Sequence, residues 1–156
     1  LSAACIGRYF GVMDEEIVSA LEEYTPTNNR SQCTRTDKNT LIVDAYNANP
    51  TSMEAALRNF SLIEASNKVL ILGDMKELGE DSEAEHYKVL TLIQSLGFTR
   101  GYFVGSEFAK VNEGFGQCFP NVETLSEYLK DNQITDSTIL IKGSNSTKLT
   151  QIVPSL

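Results

Sequence analysis

Three short polar clusters in this 156-residue chain carry the side chains that could do chemistry. In "DAYNANP", Asp44 supplies a carboxylate able to accept hydrogen bonds from sugar hydroxyls. Tyr46 supplies a ring able to lie against a base or a sugar, and Asn47 an amide able to donate to a phosphate or a nucleobase. In "GDMKELGE", Asp74, Lys76 and Glu77 follow a sharp turn expected at Gly73. In "KGSNSTK", Lys142 precedes Gly143, which lets the backbone approach something closely, and the donors Ser144, Asn145 and Ser146. That combination at a helix N-terminus suits an anion such as a carboxylate. Structural duties account for part of this inventory. Asn49 suits a helix N-cap, and Pro50 the first helical turn, where its missing N–H costs nothing. A solvated loop followed by a helix capped at Asp81 or Ser82 accounts for the second cluster, since loop-start Asp and Asn are common.

Several chemistries are excluded. Neither G-x-x-x-x-G-K-[ST] nor G-x-G-x-x-G occurs anywhere in the chain. The single histidine, His86, cannot build a multi-His metal centre or a Ser–His–Asp triad, and it is expected to be packed or exposed rather than catalytic. Cys5, Cys33 and Cys118 are odd in number and widely spaced, with no CxxC pair. They fit neither a disulfide framework nor a zinc site, and they suit a reducing cytosol. No metal ligands are therefore assigned. A formal net charge of -8 repels phosphate backbones and disfavours a nucleic-acid partner, yet it permits a local cationic site for a small anion. No apolar run approaches the ~18–20 residues of a membrane span. What remains is a ligand-binding domain without a complete catalytic apparatus.

The elements that must position these clusters follow from periodicity. Leu1 to Tyr24 predicts two short helices, the first stopped at Gly11 and the second begun at Asp14. "TPTNNRSQ" is turn-rich and joins them to the rest. "RSQCTRTDKNTLIVD" predicts two strands joined by a "DKN" turn. Strands and helices then alternate. "TLIVD", "KVLILGD", "GYFVG" and "STILIKG" are apolar runs of strand length. "PTSMEAALRNFSLI" places Met53, Ala56, Leu57, Phe60 and Ile63 on one helical face. "DSEAEHYKVLTLIQSL", ended by Gly97, "SEFAKVN", "VETLSEYLKDN" and a final "STKLTQIV" complete the predicted helices. The pattern predicts an α/β fold: a Rossmann-like, mostly parallel sheet flanked by helices, with one antiparallel strand accommodated. All three clusters then sit at carboxyl ends of strands, where open α/β sheets bind their ligands.

Taken in order, "DAYNANPTSMEAAL", "LILGDMKELGEDSEAEH" and "ILIKGSNSTKL" resemble the carboxyl-terminal domain of the Mur ligase family. The resemblance covers nearly the whole chain. It likens residues 1–30 to the tail of the family's central ATPase domain and the joint, and 31–156 to the C-terminal domain. An opening at Leu1 in helical sequence fits a piece of a longer protein. The resemblance implies a cytoplasmic bacterial enzyme of peptidoglycan precursor synthesis. ATP phosphorylates the carboxylate of a nucleotide-linked peptide, an amine attacks the acyl phosphate, and phosphate leaves. Within the family, "YNANP" and the "GDM-ELG-E…H" string point to the member that joins D-Ala-D-Ala to UDP-N-acetylmuramoyl-tripeptide. The implied partners are ATP, these two substrates and the ligase's own central and N-terminal domains, with neither nucleic acid nor membrane. The implied Mg2+ has its ligands in the central domain.

Position by position, Arg30 resembles a γ-phosphate contact and is the implied catalytic residue. Asp44 resembles the acid that binds ATP ribose, and Tyr46, Asn47 and Asn49 the rest of that nucleotide knot. Asp74 and Lys76 fall in the loop near the incoming amino substrate. Lys142, Ser144 and Asn145 fall where related ligases hold its carboxylate. Asn29 stands where the family usually has glycine, and Asn145 where a basic residue is frequent. The isolated chain is expected to be inactive. The competing reading is a free-standing α/β ligand-binding or regulatory module, and an upstream P-loop in the same polypeptide separates the two.

Overall fold

The computed structural model describes residues 2–24 and 32–156. Two helices come first, α1 (Ser2–Tyr9) and α2 (Asp14–Glu23), and none of their residues is buried. They turn on Gly11, whose φ of 77° suits glycine. Arg8 and Asp14 join them through a bidentate pair with both distances 2.7 Å.

The remainder builds around one six-stranded sheet. Its strands are β1 (Gln32–Arg35), β2 (Asn39–Asp44), β3 (Lys68–Gly73), β4 (Gly101–Val104), β5 (Gln117–Phe119) and β6 (Ser137–Lys142). The spatial order is β1-β2-β6-β3-β4-β5. Only β1 runs antiparallel, as the "DKN" turn predicts, and every other pairing is parallel. The helices are α3 (Pro50–Leu62), α4 (Ser82–Ser95), α5 (Ser106–Val111) and α6 (Val122–Asp131).

The apolar strand runs are continuous because both faces are covered. On one face Leu41, Val43, Val69, Ile71, Tyr102, Val104, Ile139 and Ile141 meet Leu125 and Leu129 of α6, with Leu149 and Ile152 of the chain end. On the other, Leu70, Leu72, Phe103 and Leu140 meet Met53, Leu57 and Phe60 of α3, Val89, Leu90 and Ile93 of α4, and Phe108 and Val111 of α5. The helix face expected on α3 is buried at Met53, Leu57 and Phe60, whereas Ile63 lies beyond the last turn and is exposed.

Two predicted details differ. The final "STKLTQIV" is two 3-10 segments, Asn145–Thr147 and Leu149–Ser155, separated by Lys148 in the left-handed region (φ 53°). Pro154 inside the second has no N–H to continue an α-helix. The strand β5 has no counterpart among the predicted elements.

The topology creates the site. β2 and β3 both lead into helices on the α3–α4 face, whereas β6, lying between them, leads to the segment packed on the opposite face. The connections therefore diverge on both sides of β6, the position at which open α/β sheets place their ligands.

Candidate functional site

The carboxyl ends of β2, β6 and β3 are adjacent, so the three polar clusters meet in space. On the β2 side, Asp44 and Lys142 are register partners across the parallel pair. The Lys142 ammonium is buried at 1% side-chain exposure and donates to Asp44 Oδ2 at 2.6 Å and to the Asn47 carbonyl at 3.2 Å. A lysine is buried only when its charge is answered, and here a carboxylate and a carbonyl answer it. Asp44 keeps 23% side-chain exposure, so its carboxylate still reaches the surface at the end of β2. Beyond it, Asn49 caps α3 as expected: its Oδ1 accepts the Ser52 N–H at 2.8 Å, and Pro50 opens the helix. Tyr46 and Asn47 are exposed between these anchors.

On the β3 side, Gly73 is an extended strand end rather than a turn. The left-handed residues come later, at Glu77 (φ 64°) and Gly79 (φ 57°). Glycine is needed at 73 for proximity: a Cβ there would lie 2.6 Å from Thr147 Oγ1. A Cβ on Gly143 would lie 2.9 Å from the Gly73 Cα, so what the backbone of "KGS" approaches closely is its neighbour strand. Asp74 is buried, and its two oxygens accept the N–H groups of Glu107 (3.1 Å) and Phe108 (3.2 Å) at the start of α5. Gly105, with φ 124°, passes directly over that carboxylate, leaving no space for a Cβ. Ser144 is also buried. Its Oγ accepts the Lys76 N–H at 3.2 Å, and its own N–H donates to the Asp74 carbonyl at 3.3 Å.

A cleft of about 370 Å³ opens above this floor, between the ends of β3, β4, β5 and β6. Asp74, Lys76, Ser106, Asn121, Thr147 and Lys148 contribute to its wall. Lys76 keeps half its side chain in solvent, 3.6 Å from Asp74 Oδ2, and Lys148 is exposed on the opposite side. An otherwise acidic chain thus brings two ammonium groups to one concavity, where Asp74 and Glu123 supply two carboxylates, so the wall is mixed in charge and suits a ligand with both a carboxylate and an amine.

His86 is fully buried on α4. Its Nδ1 lies 2.7 Å from the Ser82 carbonyl, which can only accept, so Nδ1 carries the proton and Nε2 accepts the Met75 N–H at 3.0 Å. Its ring packs edge-on against Phe108 with centroids 4.7 Å apart. It anchors the Asp74–Lys76 loop and lines none of the crevices, as a packed histidine should.

The sequence profile described as "Mur ligase, glutamate ligase domain" matches residues 29–145. The chain belongs to the Mur ligase family. Curated Mur ligases bearing the name UDP-N-acetylmuramoyl-tripeptide–D-alanyl-D-alanine ligase align with it. The Bacillus subtilis (strain 168) protein is 33% identical over 167 residues, covering 100% of this chain and 36% of the relative. The Rickettsia prowazekii protein is 35% identical over 138 residues, covering 85% of this chain and 31% of the relative. Among solved structures, MurF from Acinetobacter baumannii superimposes with a TM-score of 0.76 at 28% identity, covering 96% of this chain and 35% of that one. The MurF ligase of Thermotoga maritima in complex with ADP gives a TM-score of 0.79 at 18% identity, covering 97% of this chain and 35% of that one, and so shares the fold. The chain spans about a third of the length of the curated relatives it matches.

Within this Mur ligase fold, the residues expected at the site fall into two groups on either side of β6. Asp44, Tyr46, Asn47 and Asn49 lie at the carboxyl end of β2, and Lys142 joins them there. Asp74, Lys76 and Ser144 gather at the β3 crevice, and Asn145 is exposed just after Ser144. Arg30 lies outside the described residues. Asp74 and Ser144 are committed to backbone partners, and Lys142 to the knot. The cleft-lining Ser106, Asn121 and Lys148 have no part in the sequence-based site. Lys148 ends the "KGSNSTK" cluster, but only its left-handed backbone, which breaks the expected helix, turns that residue toward the cleft. No helix among the described residues is long and apolar enough to cross a membrane.

Proposed function

We propose that this chain is the C-terminal domain, with part of the preceding joint, of a cytoplasmic ATP-dependent ligase that adds D-Ala-D-Ala to UDP-N-acetylmuramoyl-tripeptide. One observation carries the reading: relatives of that name align with the chain from end to end. The geometry is compatible with it: nucleotide-compatible groups gather at the end of β2, and on the other side of β6 a cleft is lined by Lys76 and Lys148 together with Asp74 and Glu123. On this reading residues 1–30 belong to the ATPase domain and its joint, and 31–156 close over ATP and the incoming dipeptide.

The roles follow from chemistry. Lys142 occupies Asp44 Oδ2, and Oδ1 faces the ribose hydroxyls as acceptor. Tyr46 lies against base or sugar, Asn47 presents its amide to the nucleotide, and Asn49 holds the start of α3 beneath them. Arg30 approaches the γ-phosphate and stabilises charge on the transferring group. Lys76, backed by Asp74 and Ser144 and flanked by Asn145 and Lys148, answers the dipeptide carboxylate so that its amine is free to attack the acyl phosphate. Mg2+, which would neutralise the phosphates, would have its ligands in the central domain. Closure of the domain completes a site otherwise open to water.

The whole polypeptide that contains this chain tests the reading. Given ATP, UDP-N-acetylmuramoyl-tripeptide and D-Ala-D-Ala, it should release phosphate and form the pentapeptide product stoichiometrically. Phosphate release independent of the dipeptide, or product with L-glutamate in its place, overturns the assignment. Asp44→Ala should raise the KM for ATP by about tenfold or more, as expected for loss of a charge-assisted hydrogen bond.

A further inference from the structure

Lys142 stands beside a glycine and two serines, a setting that suggests contact with the amino substrate. Its geometry says otherwise. The ammonium is buried to 1% exposure, 2.6 Å from Asp44 Oδ2 and 3.2 Å from the Asn47 carbonyl. Both acceptors lie at the carboxyl end of β2 and the loop that follows it. Neighbouring strands fix this choice, because β6 sits between β2 and β3 and the in-register partner of Lys142 on β2 is Asp44 itself. Its partner on β3 is Leu72, which offers no acceptor side chain.

We infer that Lys142 is a positioning residue for the nucleotide crevice, acting through Asp44 and the Asn47 backbone and not on the amino substrate. The inference rests on the ligase reading above and assigns Lys142 to its ATP side. Mechanically, Lys142 fixes one carboxylate oxygen so that the other faces a diol, and it tethers the loop that presents Tyr46 and Asn47. Electrostatically, it neutralises a carboxylate that would otherwise repel the triphosphate. It also couples the two crevices. Two residues on from this clamp, Ser144 grips the β3 loop through the Lys76 N–H and the Asp74 carbonyl.

The experiment is a set of four whole proteins: wild type, Lys142→Met, Asp44→Asn, and the double variant. The KM for ATP and for D-Ala-D-Ala is measured on each, with a melting curve to establish folding. Lys142→Met should raise the KM for ATP about tenfold, the loss expected when a charged hydrogen bond at the carboxylate is removed. The KM for D-Ala-D-Ala should move less than about twofold, within the range of unconnected sites. Because Lys142 acts in part through Asp44, its replacement in the Asp44→Asn background should raise the KM for ATP by clearly less than about tenfold, the remainder reporting the Asn47 tether, the non-additivity of groups working as a unit. The double variant, which buries no unpaired charge, should melt above Lys142→Met.

A rise confined to the KM for D-Ala-D-Ala overturns the inference and returns Lys142 to the amino substrate. Fully additive effects on the KM for ATP overturn it as well, since Lys142 would then touch the nucleotide independently. If Lys142→Met does not fold, the comparison of Asp44→Asn with the double variant still decides the matter. A wild-type protein without ATP-dependent ligation overturns the ligase reading itself, an outcome distinct from normal ligation that is indifferent to Lys142.

Discussion

At the scale of single residues, burial separates groups that hold the site from groups that can meet a ligand. Lys142, Asp74, Ser144 and His86 are buried and bonded, whereas Lys76, Asn145 and Lys148 are exposed. His86 makes the point sharpest, because a lone histidine near a cleft invites a catalytic role. Here both ring nitrogens serve the backbone, one at Met75 and one at Ser82. His86→Ala leaves the Met75 N–H without its acceptor and opens a cavity beside Phe108. It should lower stability by about 3 kcal/mol in urea unfolding of this chain. Ligation by the whole protein, corrected for the folded fraction, should be retained, and loss of turnover in fully folded protein would give His86 a chemical role. The candidate residues themselves were legible in the sequence, because Asp, Asn, Lys and Ser at strand ends announce themselves. Their partners were not. Asp44 and Lys142 are 98 positions apart, and only the insertion of β6 between β2 and β3 makes them neighbours.

At the scale of elements, strands with both faces covered are apolar throughout, so β2, β3, β4 and β6 could be read directly from sequence. So could the antiparallel β1, from its tight polar turn. β5 escaped because three residues at a sheet edge, with Gln117 exposed, carry no periodicity. The terminal 3-10 segments escaped because their apolar spacing mimics an α-helix, while Lys148 and Pro154 break the backbone pattern.

The joint between α4 and α5 carries a pH dependence. Lys110 at 2.7 Å and the Ser82 hydroxyl at 3.0 Å hold the Glu107 carboxyl down from 4.5 to about 2. Since the folded value lies below the unfolded one, the stabilisation is present above pH 4.5 and is lost as pH falls toward 2. Lys110 is largely solvated, so the contribution is about 1 kcal/mol. Acid titration of stability should therefore lose that increment between pH 4.5 and 2, and Glu107→Gln should flatten it. An unchanged profile in the variant would assign the acid sensitivity elsewhere. At the far end of the sheet, the Asn39 amide donates to the Ile134 and Leu156 carbonyls at 2.7 and 2.6 Å, and its Oδ1 accepts the Ser137 N–H at 3.1 Å. Asn39→Ala strands the Ile134 carbonyl and the Ser137 N–H, while the Leu156 oxygen keeps the Thr36 hydroxyl at 3.1 Å, and should cost about 2 kcal/mol by urea unfolding, a loss that Asn39→Asp should not repair because a carboxylate cannot donate to a carbonyl.

For the molecule as a whole, the sheet with its two helical layers forms a closed core, while α1 and α2 contribute nothing buried to it. Those helices, with their connecting turn and caps, instead expose Ile6, Tyr9, Phe10, Val12, Met13, Val18, Leu21 and Tyr24. An apolar surface of that extent is normally covered, and the proposed ATPase domain is the cover that the ligase reading supplies. Two consequences follow for the isolated chain. On the ligase reading it should bind ATP weakly and form no peptide bond, because the proposed nucleotide contacts at Asp44 and its neighbours would supply one wall of a cleft, and these 156 residues contain no P-loop motif. Second, removing residues 1–24 should leave the stability of the sheet domain within about 0.5 kcal/mol, as for surface changes that remove no core contact. The same truncation should lower binding of a hydrophobic dye such as ANS, since the exposed apolar helices go with it. A loss of more than about 2 kcal/mol on truncation, the scale of buried side chains, would mean that α1 and α2 pack on the sheet. The apolar face would then belong to this domain's own core rather than to a neighbouring domain.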